Sequence, residues 1–145
     1  RLKYSLLLGV RTAEDLKIAI GSAYPLKKEM QTVVRGRDLG TGLPKSLKIT
    51  SVEVREALSP VVRKIMESIS DVIEETPPEL VSDILEKGIT MAGGGSLLRG
   101  IEKLVAEEAK MPVWVTEEPM AAVVRGCGKV LENLELLRKV RVTGG

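Results

Sequence analysis

The run Gly93-Gly94-Gly95 follows an apolar stretch, Ile89 to Ala92, and precedes a helical pattern that begins at Ser96 or Leu97. Because glycine lacks a Cβ atom, such a turn between a strand and a helix lets a flat or anionic group approach the main chain closely. Free N–H groups at the start of the helix add donors and a positive partial charge. No Gly-Lys-Ser/Thr follows, and the G-x-G-x-x-G spacing is incomplete, so neither phosphate-binding loop is present. We predict that this turn lies against the base and sugar of a nucleotide; a tight connection without a ligand is the alternative.

A carboxylate and an amine, Glu14 and Lys17, lie three residues apart in a stretch that predicts a helix from Ala13 to Ile20. This spacing places both side chains on one helix face. The carboxylate could accept hydrogen bonds from ribose hydroxyls, and the lysine could donate to hydroxyl or base acceptors. An ordinary surface ion pair is the alternative interpretation.

Small residues lie along another predicted helix, which runs from Pro119 to about Asn133. Ala122 and Gly126 share one face, and so do Val124 and Gly128, because residues four apart are neighbours on a helix. Such rows let another helix approach closely and could act as a hinge, or they could be ordinary tight packing. The lone Cys127 lies in this row and is predicted to be a small packing residue.

Composition excludes several classes of function. The chain has 145 residues, of which 43% are hydrophobic, 29% charged and 2% aromatic, with a net charge of +2. Interspersed charges and scarce aromatic rings argue against nucleic-acid binding. With no histidine and one cysteine, a histidine base, a His–Cys zinc site and an internal disulfide are excluded. We predict no catalytic residue and no metal ligand in this chain, and a reducing cytoplasm is the default because no membrane span or signal peptide is seen.

Periodicity and end signals predict the remaining elements. A first helix is capped by Thr12 with Asp15 and ends at Gly21. The other predicted elements are an antiparallel pair (Met30 to Arg35 and Ser46 to Thr50), a helix Val52 to Leu58 capped by Ser51, a helix from Pro60 with a buried face (Val61, Val62, Ile65, Met66, Ile69, Val72, Ile73), a helix begun by Thr76-Pro77-Pro78-Glu79 and ended by Gly88, a strand Ile89 to Ala92, a helix Leu97 to Ala109, a parallel strand Val113 to Val115, and a short helical or frayed tail Leu134 to Gly145.

The predicted organisation has two subdomains. Residues 1–27 and 76–145 would form an incomplete, nucleotide-facing α/β core, and residues 28–75 would form an inserted small subdomain with antiparallel strands and helices. The chain begins with Arg1 rather than Met, and the stretch Tyr4 to Leu8 is typical of the end of a secondary-structure element that begins earlier. We therefore expect it to be a fragment of a longer protein.

The order of these motifs resembles that of the MreB family of bacterial actin homologues, across essentially the whole chain. The motifs that carry the resemblance are Arg11-Thr12-Ala13-Glu14 through Lys17, Gly40-Thr41-Gly42-Leu43-Pro44, Thr76-Pro77-Pro78-Glu79-Leu80, Gly93-Gly94-Gly95-Ser96-Leu97-Leu98-Arg99-Gly100, and Pro119 through Gly128. The resemblance implies an α/β fold, the second lobe of an actin-like (ribonuclease H-like) ATPase with an inserted α+β subdomain.

The resemblance also implies roles for particular residues. The adenosine motif would comprise Gly93, Gly94, Gly95, Ser96 and Leu97. Ribose- and adenine-side contacts would come from Glu14 and Lys17, the hinge helix would span Ala122 to Gly128, and the region Lys28 to Glu75 would take part in subunit contacts along a protofilament. Members of the family bind ATP with Mg²⁺ and self-associate into filaments. These filaments lie in the cytoplasm at the inner membrane face, work with cell-wall elongation proteins and maintain rod shape.

The sequence departs from the family pattern in several places. The first lobe is absent, and with it the two phosphate-binding hairpins, the Mg²⁺ ligands, the glutamate that positions water and the membrane-anchoring elements. Val10 replaces the usual glutamate, and Met91-Ala92 replaces the commoner Leu-Thr. Because phosphoryl transfer depends on positioned metal and charge, we expect that this chain alone hydrolyses no ATP, which a phosphate-release assay would test.

Two other hypotheses remain open from the sequence. The chain could be the nucleotide-binding lobe of another actin-superfamily ATPase, of the sugar-kinase or chaperone type, although no substrate-binding aspartate stands out. It could also be a truncated interaction module that binds partners only. Filament formation would favour the MreB-like filament subunit, and sugar-dependent ATP consumption by the intact protein would favour a kinase. The absence of nucleotide binding at millimolar concentration would favour the interaction module.

Overall fold

The computed structural model describes residues 4 to 133 together with residues 135 and 138. Within these residues, strands and helices are interspersed along the chain. In order they are β1 (Leu6–Leu7), α1 (Val10–Ile20), β2 (Gln31–Asp38), β3 (Pro44–Thr50), α2 (Ser51–Glu75), α3 (Pro78–Lys87), β4 (Ile89–Met91), a 3₁₀ turn (Gly94–Leu97), α4 (Ile101–Ala109), β5 (Val113–Val115) and α5 (Ala122–Glu132).

The first sheet has the order β1-β2-β3 and is antiparallel throughout. Val34 pairs with Leu47, and side chains alternate between the core and solvent, as a sheet with one covered face requires. The predicted antiparallel pair is therefore confirmed, although β2 continues beyond Arg35 to Asp38. The predicted division into two subdomains stays a prediction; β1, from the predicted core, pairs with β2, from the predicted insertion.

The second sheet is the predicted βαβ unit. Strands β4 and β5 pair in parallel, with Ile89 opposite Val113, and α4 connects them. Val105 on α4 is fully buried and Ile101 nearly so, because this helix packs its apolar face on the two strands. The prediction of a parallel strand–helix–strand unit is confirmed.

Helix α2 joins the two hydrophobic cores. Val54, near its start, belongs to the core beneath the first sheet, and Val62, two turns later, belongs to the core around α4. Leu58 packs against both. The helix is therefore the common support of both sheets.

The predicted start of α1 is wrong. The helix begins at Val10, its N-cap is Gly9, and no side chain caps it. Ala13 N donates to Gly9 O at 3.0 Å, so Thr12 already lies within the first turn and cannot act as the cap. The predicted end at Gly21 is confirmed, since its N–H donates to Lys17 O at 2.8 Å.

The two helices predicted between Val52 and Glu75 form one helix. Thr50, rather than Ser51, is the N-cap, and it forms a capping box with Glu53. Pro60 lies inside the helix and cannot donate to Glu56 O, four residues earlier. The Ser59 hydroxyl donates to that carbonyl at 2.9 Å, which replaces the missing bond and lets the helix continue.

The predicted buried face of α2 is only partly buried. Val62 is in the core and Met66 is half-buried. Val61, Ile65 and Val72 are instead 60%, 43% and 65% exposed, and they line an open groove together with Ile84 of α3.

The predicted start of α3 is also wrong. Thr76 does not cap α3; it is the C-cap of α2, where its N–H donates to Ile73 O at 3.2 Å and its hydroxyl to Val72 O at 2.6 Å. Pro77 is the N-cap, without a side-chain bond, and the helix begins at Pro78. Gly88 ends the helix as predicted, with a φ of 75° that favours glycine.

Helix α4 begins later than predicted. The glycines are followed by the 3₁₀ turn, Leu98 is extended, and the left-handed Gly100 is the N-cap of α4. A Cβ atom on Gly100 would lie 2.6 Å from the Tyr24 Cβ atom, so both backbone conformation and packing require glycine there.

Helix α5 begins after Ala121, not at Pro119, because Glu118 has a φ of 46° and Pro119 follows it in a turn. The helix ends at Glu132, one residue before the predicted limit. The predicted tail, Leu134 to Gly145, lies outside the described residues except for positions 135 and 138.

Candidate functional site

Hydrogen bonds at Gly93 fix the start of the glycine turn. Gly93 has a φ of 82°, and its N–H donates to Pro119 O at 2.8 Å. The Ser96 hydroxyl donates to Gly93 O at 2.7 Å, and Ser96 is 6% exposed. The hydroxyl of this predicted ligand-binding residue is therefore engaged within the turn and fixes its shape.

The outer side of the turn is open. A Cβ atom on Gly93 or Gly95 would meet no atom within 4 Å, and one on Gly94 would only reach Met120 Cγ at 4.0 Å. Packing among the described residues therefore does not require glycine at 94 and 95. A bare main chain facing open space is what a ligand needs to approach closely.

The donors at this turn differ from those predicted. The sequence placed the start of a helix directly after the glycines, but α4 begins only at Ile101, so its dipole does not act at the turn. The N–H groups of Gly94 and Gly95 donate to no carbonyl outside the turn within the described residues. Both residues are exposed, and these two N–H groups are the donors that the turn offers.

Arg99 connects the glycine segment to the end of α1. Its Nη1 donates to Ile18 O at 2.7 Å and to Gly21 O at 3.3 Å. Ala23 N donates to Arg99 O at 2.8 Å, within an isolated parallel bridge between Ser22 and Arg99. The guanidinium thus satisfies carbonyls that a helix leaves unpaired at its C-terminus and holds the two segments together.

Glu14 and Lys17 are exposed on α1. Lys17 also borders a cavity of about 510 Å³ between α1 and α2. Ile18, one turn after Glu14, is 62% exposed on the same side of the helix. No bond joins Glu14 or Lys17 to the glycine turn in the described part of the chain, and their role in a common site stays a prediction.

Sequence reasoning gave no individual role to Arg99, Ile18 or Met120. Arg99 was noticed only as part of the motif Gly93 to Gly100, because its carbonyl partners are about eighty positions away. Ile18 could have been found as an apolar residue on the face of Glu14. Met120 lies beside Gly94 and is 77% exposed. The sequence gives no sign of this exposure.

The two glycines of the small-residue row on α5 face open space among the described residues. Cβ atoms on Gly126 and Gly128 would meet nothing within 4 Å. Cys127 is exposed, so the prediction that it is a packing residue is wrong for the described residues. The apolar side chains of α5 face outward. The hinge role of the row stays a prediction.

The described residues contain no group of three or more His, Cys, Asp or Glu side chains arranged to hold a metal ion. None of the helices in this part of the chain combines the length and the apolarity that crossing a bilayer requires.

Comparison with known proteins decides the family. A family model described as MreB/Mbl protein matches residues 1 to 139.

The chain belongs to the MreB/Mbl family.

Relatives agree with this assignment. The MreB/Mbl chain is 45% identical over 137 residues to the cell shape-determining protein Mbl of Bacillus cereus, covering 94% of the chain and 41% of that protein. It is 43% identical over 136 residues to the cell shape-determining protein MreB of Escherichia coli K12, covering 94% of the chain and 39% of that protein. The chain therefore spans about two fifths of the length of these relatives.

Solved structures agree as well. MreB5 of Spiroplasma citri bound to ADP matches with a TM-score of 0.88 and 34% identity, over 96% of this MreB/Mbl chain and 42% of that one. The MamK double helical filament matches with a TM-score of 0.73 and 23% identity, over 91% and 40% of the two chains, which shows the actin-like fold. The predicted fold class and family are confirmed, and the cytoskeletal hypothesis is favoured over the kinase and chaperone alternatives.

Proposed function

We propose that this chain is the nucleotide-facing part of an actin-like, filament-forming protein that maintains rod shape by organising cell-wall synthesis. Its family membership supports this, because relatives at 45% and 43% identity are described as cell shape-determining proteins. The chain itself would contribute the surface that holds the base and sugar of ATP.

The open glycine turn is the observation that carries this proposal. Exposed N–H groups at Gly94 and Gly95 can donate to a ligand, and no side chain prevents a flat base from lying against them. Arg99 holds the segment after the turn on the end of α1, whose exposed face carries Glu14 and Lys17. MreB5 of Spiroplasma citri, which shares the fold, is described as bound to ADP and to AMPPNP.

Each residue has a distinct part in binding. The turn would receive the adenine, with Leu97, 56% exposed, and Ile18 as apolar surfaces beside it. Glu14 would accept from ribose hydroxyls, and Lys17 would donate to acceptors of the base or sugar. As the family resemblance implies, phosphates and Mg²⁺ would be held by parts outside this chain.

The remaining functional statements belong to the whole protein. We propose self-association into filaments, contact with cell-wall elongation proteins, and a cytoplasmic location at the inner membrane face through parts outside this chain. That the chain alone hydrolyses no ATP stays a prediction.

An NMR titration tests the nucleotide proposal. ATP added to ¹⁵N-labelled chain without Mg²⁺ should shift the amide signals of residues 93 to 97, with a Kd of about 1 mM or below. Gly95→Ala should weaken binding about tenfold, because its methyl group would enter the open space. Gly126→Ala is the matched control, since both glycines are equally open, and it should leave the Kd unchanged. No shifts at millimolar ATP, or equal affinity of the two variants, would contradict the proposal.

A further inference from the structure

Residues 21 to 24, here called the 21–24 segment, follow α1 and make hydrogen bonds with two other parts of the chain. Ser22 and Arg99 form the parallel bridge described above, and Ala23 N donates to Arg99 O at 2.8 Å. Ser22 is fully buried, and its hydroxyl accepts a hydrogen bond of 3.1 Å from Arg55 Nη1 on α2. The 21–24 segment therefore connects α2 with the residues that follow the glycine turn.

The Arg55 guanidinium has several partners at once. Besides Ser22, its Nη1 donates to Tyr24 O at 3.4 Å, and its Nη2 donates to Glu29 Oε1 at 2.8 Å. The Arg55 side chain is only 19% exposed, so its charge is largely removed from water and requires a carboxylate beside it. A planar guanidinium can serve these separate acceptors together, whereas a lysine ammonium is a compact point charge.

Glu29 is itself fixed from the start of α2. The Ser51 hydroxyl donates to Glu29 Oε2 and accepts from Met30 N at 2.8 Å, and Ser51 is fully buried. The hydrogen bonds from Arg55 and then from Ser51 hold the pKa of Glu29 below its ordinary value of 4.5, because they stabilise the charged form. Near neutral pH the ionised carboxylate therefore orients the guanidinium.

The Tyr24 side chain holds the end of the 21–24 segment on α4. Its hydroxyl donates to Glu107 Oε1 at 2.8 Å, and Lys103 Nζ lies 4.1 Å from the centre of its ring. The ring side of Tyr24 also occupies the space that a Cβ atom on Gly100 would need. Tyr24 thus attaches the end of the segment to α4, while Arg55 attaches its buried middle to α2.

We propose that Arg55 is a positioning residue of the adenosine site. Through Ser22, it holds the 21–24 segment in the position that pairs with Arg99, and so sets where the residues after the glycine turn lie relative to α1. No hydrogen bond joins Arg55 to the glycine turn itself in the described part of the chain, so Arg55 acts through the segment. The proposal rests on the nucleotide binding proposed above and assigns a role in it to a residue of α2.

Substitution of Arg55 tests this role. Arg55→Lys keeps the charge that pairs with Glu29 but loses the fork that also reaches Ser22. In the NMR titration the Kd for ATP should rise about fivefold. Without ATP, the amide signals of residues 97 to 99 should move, because their backbone partner is displaced. Thr50→Ala is the matched control, since it removes the capping box of the same helix and leaves the partners of Arg55 in place; it should change neither the Kd nor these signals.

Ser22→Ala provides a second route to the same test. It removes the acceptor and leaves the ion pair of Arg55 with Glu29 intact, so it remains informative if Arg55→Lys does not fold. Its Kd for ATP should also rise about fivefold. The double variant should bind no more weakly than Arg55→Lys alone, because both substitutions break one bond.

The outcomes separate this role from the nucleotide proposal. Equal Kd values for wild type, Arg55→Lys and Ser22→Ala would overturn the positioning role, and so would a Kd raised as much by Thr50→Ala. Additive effects in the double variant would overturn the path through Ser22. A wild-type chain that binds no ATP would overturn the proposed function instead, and the ligand-free signals of residues 97 to 99 then decide whether Arg55 positions them.

Discussion

Arg99 Nη1 donates a hydrogen bond of 2.7 Å to Ile18 O, across 81 positions of sequence. This bond places the segment after the glycine turn on the last turn of α1. Two stretches in which the sequence predicts parts of a nucleotide site are thereby held together. A site shared by the two stretches would depend on this contact.

Loss of this guanidinium should affect stability and binding together. Arg99→Ala removes the donors for Ile18 O and Gly21 O, and we expect the free energy of unfolding to fall by about 1–2 kcal/mol. The Kd for ATP should rise, because only the backbone contacts between Arg99 and residues 22 and 23 would then hold the segment after the turn near α1. Urea denaturation and the NMR titration measure the two effects. Arg63→Ala, an exposed position on α2, is the control; a similar loss in both variants would show that the Arg99 contact has no special role.

Two threonines distinguish the observed helix starts from the predicted ones. Thr50 caps α2 through a full capping box, and Thr50→Ala should cost about 1 kcal/mol of stability. Thr12 lies inside α1, where alanine is the better helix former, so Thr12→Ala should change stability by less than about 0.5 kcal/mol. Urea denaturation of the two variants decides the matter. The reverse ranking would support the start of α1 that the sequence predicted.

The loop between β2 and β3 should be sensitive to acid. The Lys45 ammonium, at 2.6 Å, and the N–H groups of Thr41 and Gly40 hold the pKa of Asp38 well below its ordinary value of 3.8. Because the folded-state pKa is lowered, the ionised carboxylate stabilises the hairpin above that value, and this contribution is lost as the pH falls below it.

Asp38→Asn should therefore be less stable than wild type near neutral pH, and the difference should shrink on acidification below about pH 4. Amide exchange of residues 38 to 45, followed across this range, measures the effect. Asp71→Asn, an exposed carboxylate on α2, is the control and should show no such trend in the hairpin. A difference that stays constant with pH would contradict the role given to the carboxylate.

Elements with strong periodicity were predictable from the sequence. The parallel unit of β4, α4 and β5 follows from two short apolar runs that flank a helical pattern. The hairpin follows from the turn residues between β2 and β3. The end of α3 at Gly88 follows from the preference of glycine for a positive φ. Each of these depends on neighbours close in the chain.

The helix starts were not predictable in the same way. Thr12 and Thr76 have the right residue type for a cap, but the first helical bond already runs to Gly9 O, and the Thr76 hydroxyl turns back to Val72 O. Pro60 suggested a break, which the Ser59 hydroxyl prevents. In each place, a competing local bond decided the outcome.

The glycine turn could be predicted from the sequence, because three glycines separate an apolar run from a helical pattern. Its role as a ligand site stays a prediction. The linkage to α1 could not be predicted, because Arg99 acts on carbonyls that only the fold brings near. The outward direction of the apolar side of α5 was also beyond sequence reasoning, since periodicity shows a face but not what covers it.

Photoaffinity labelling tests most directly whether the two segments form one adenosine site. The chain is irradiated with 8-azido-ATP, with excess ATP as competitor, and the modified peptides are identified by mass spectrometry. We expect protected labelling in both residues 93 to 99 and residues 13 to 21, and the loss of both labels in Arg99→Ala. Competed labelling confined to one segment, or located elsewhere in the chain, would contradict a shared adenosine site.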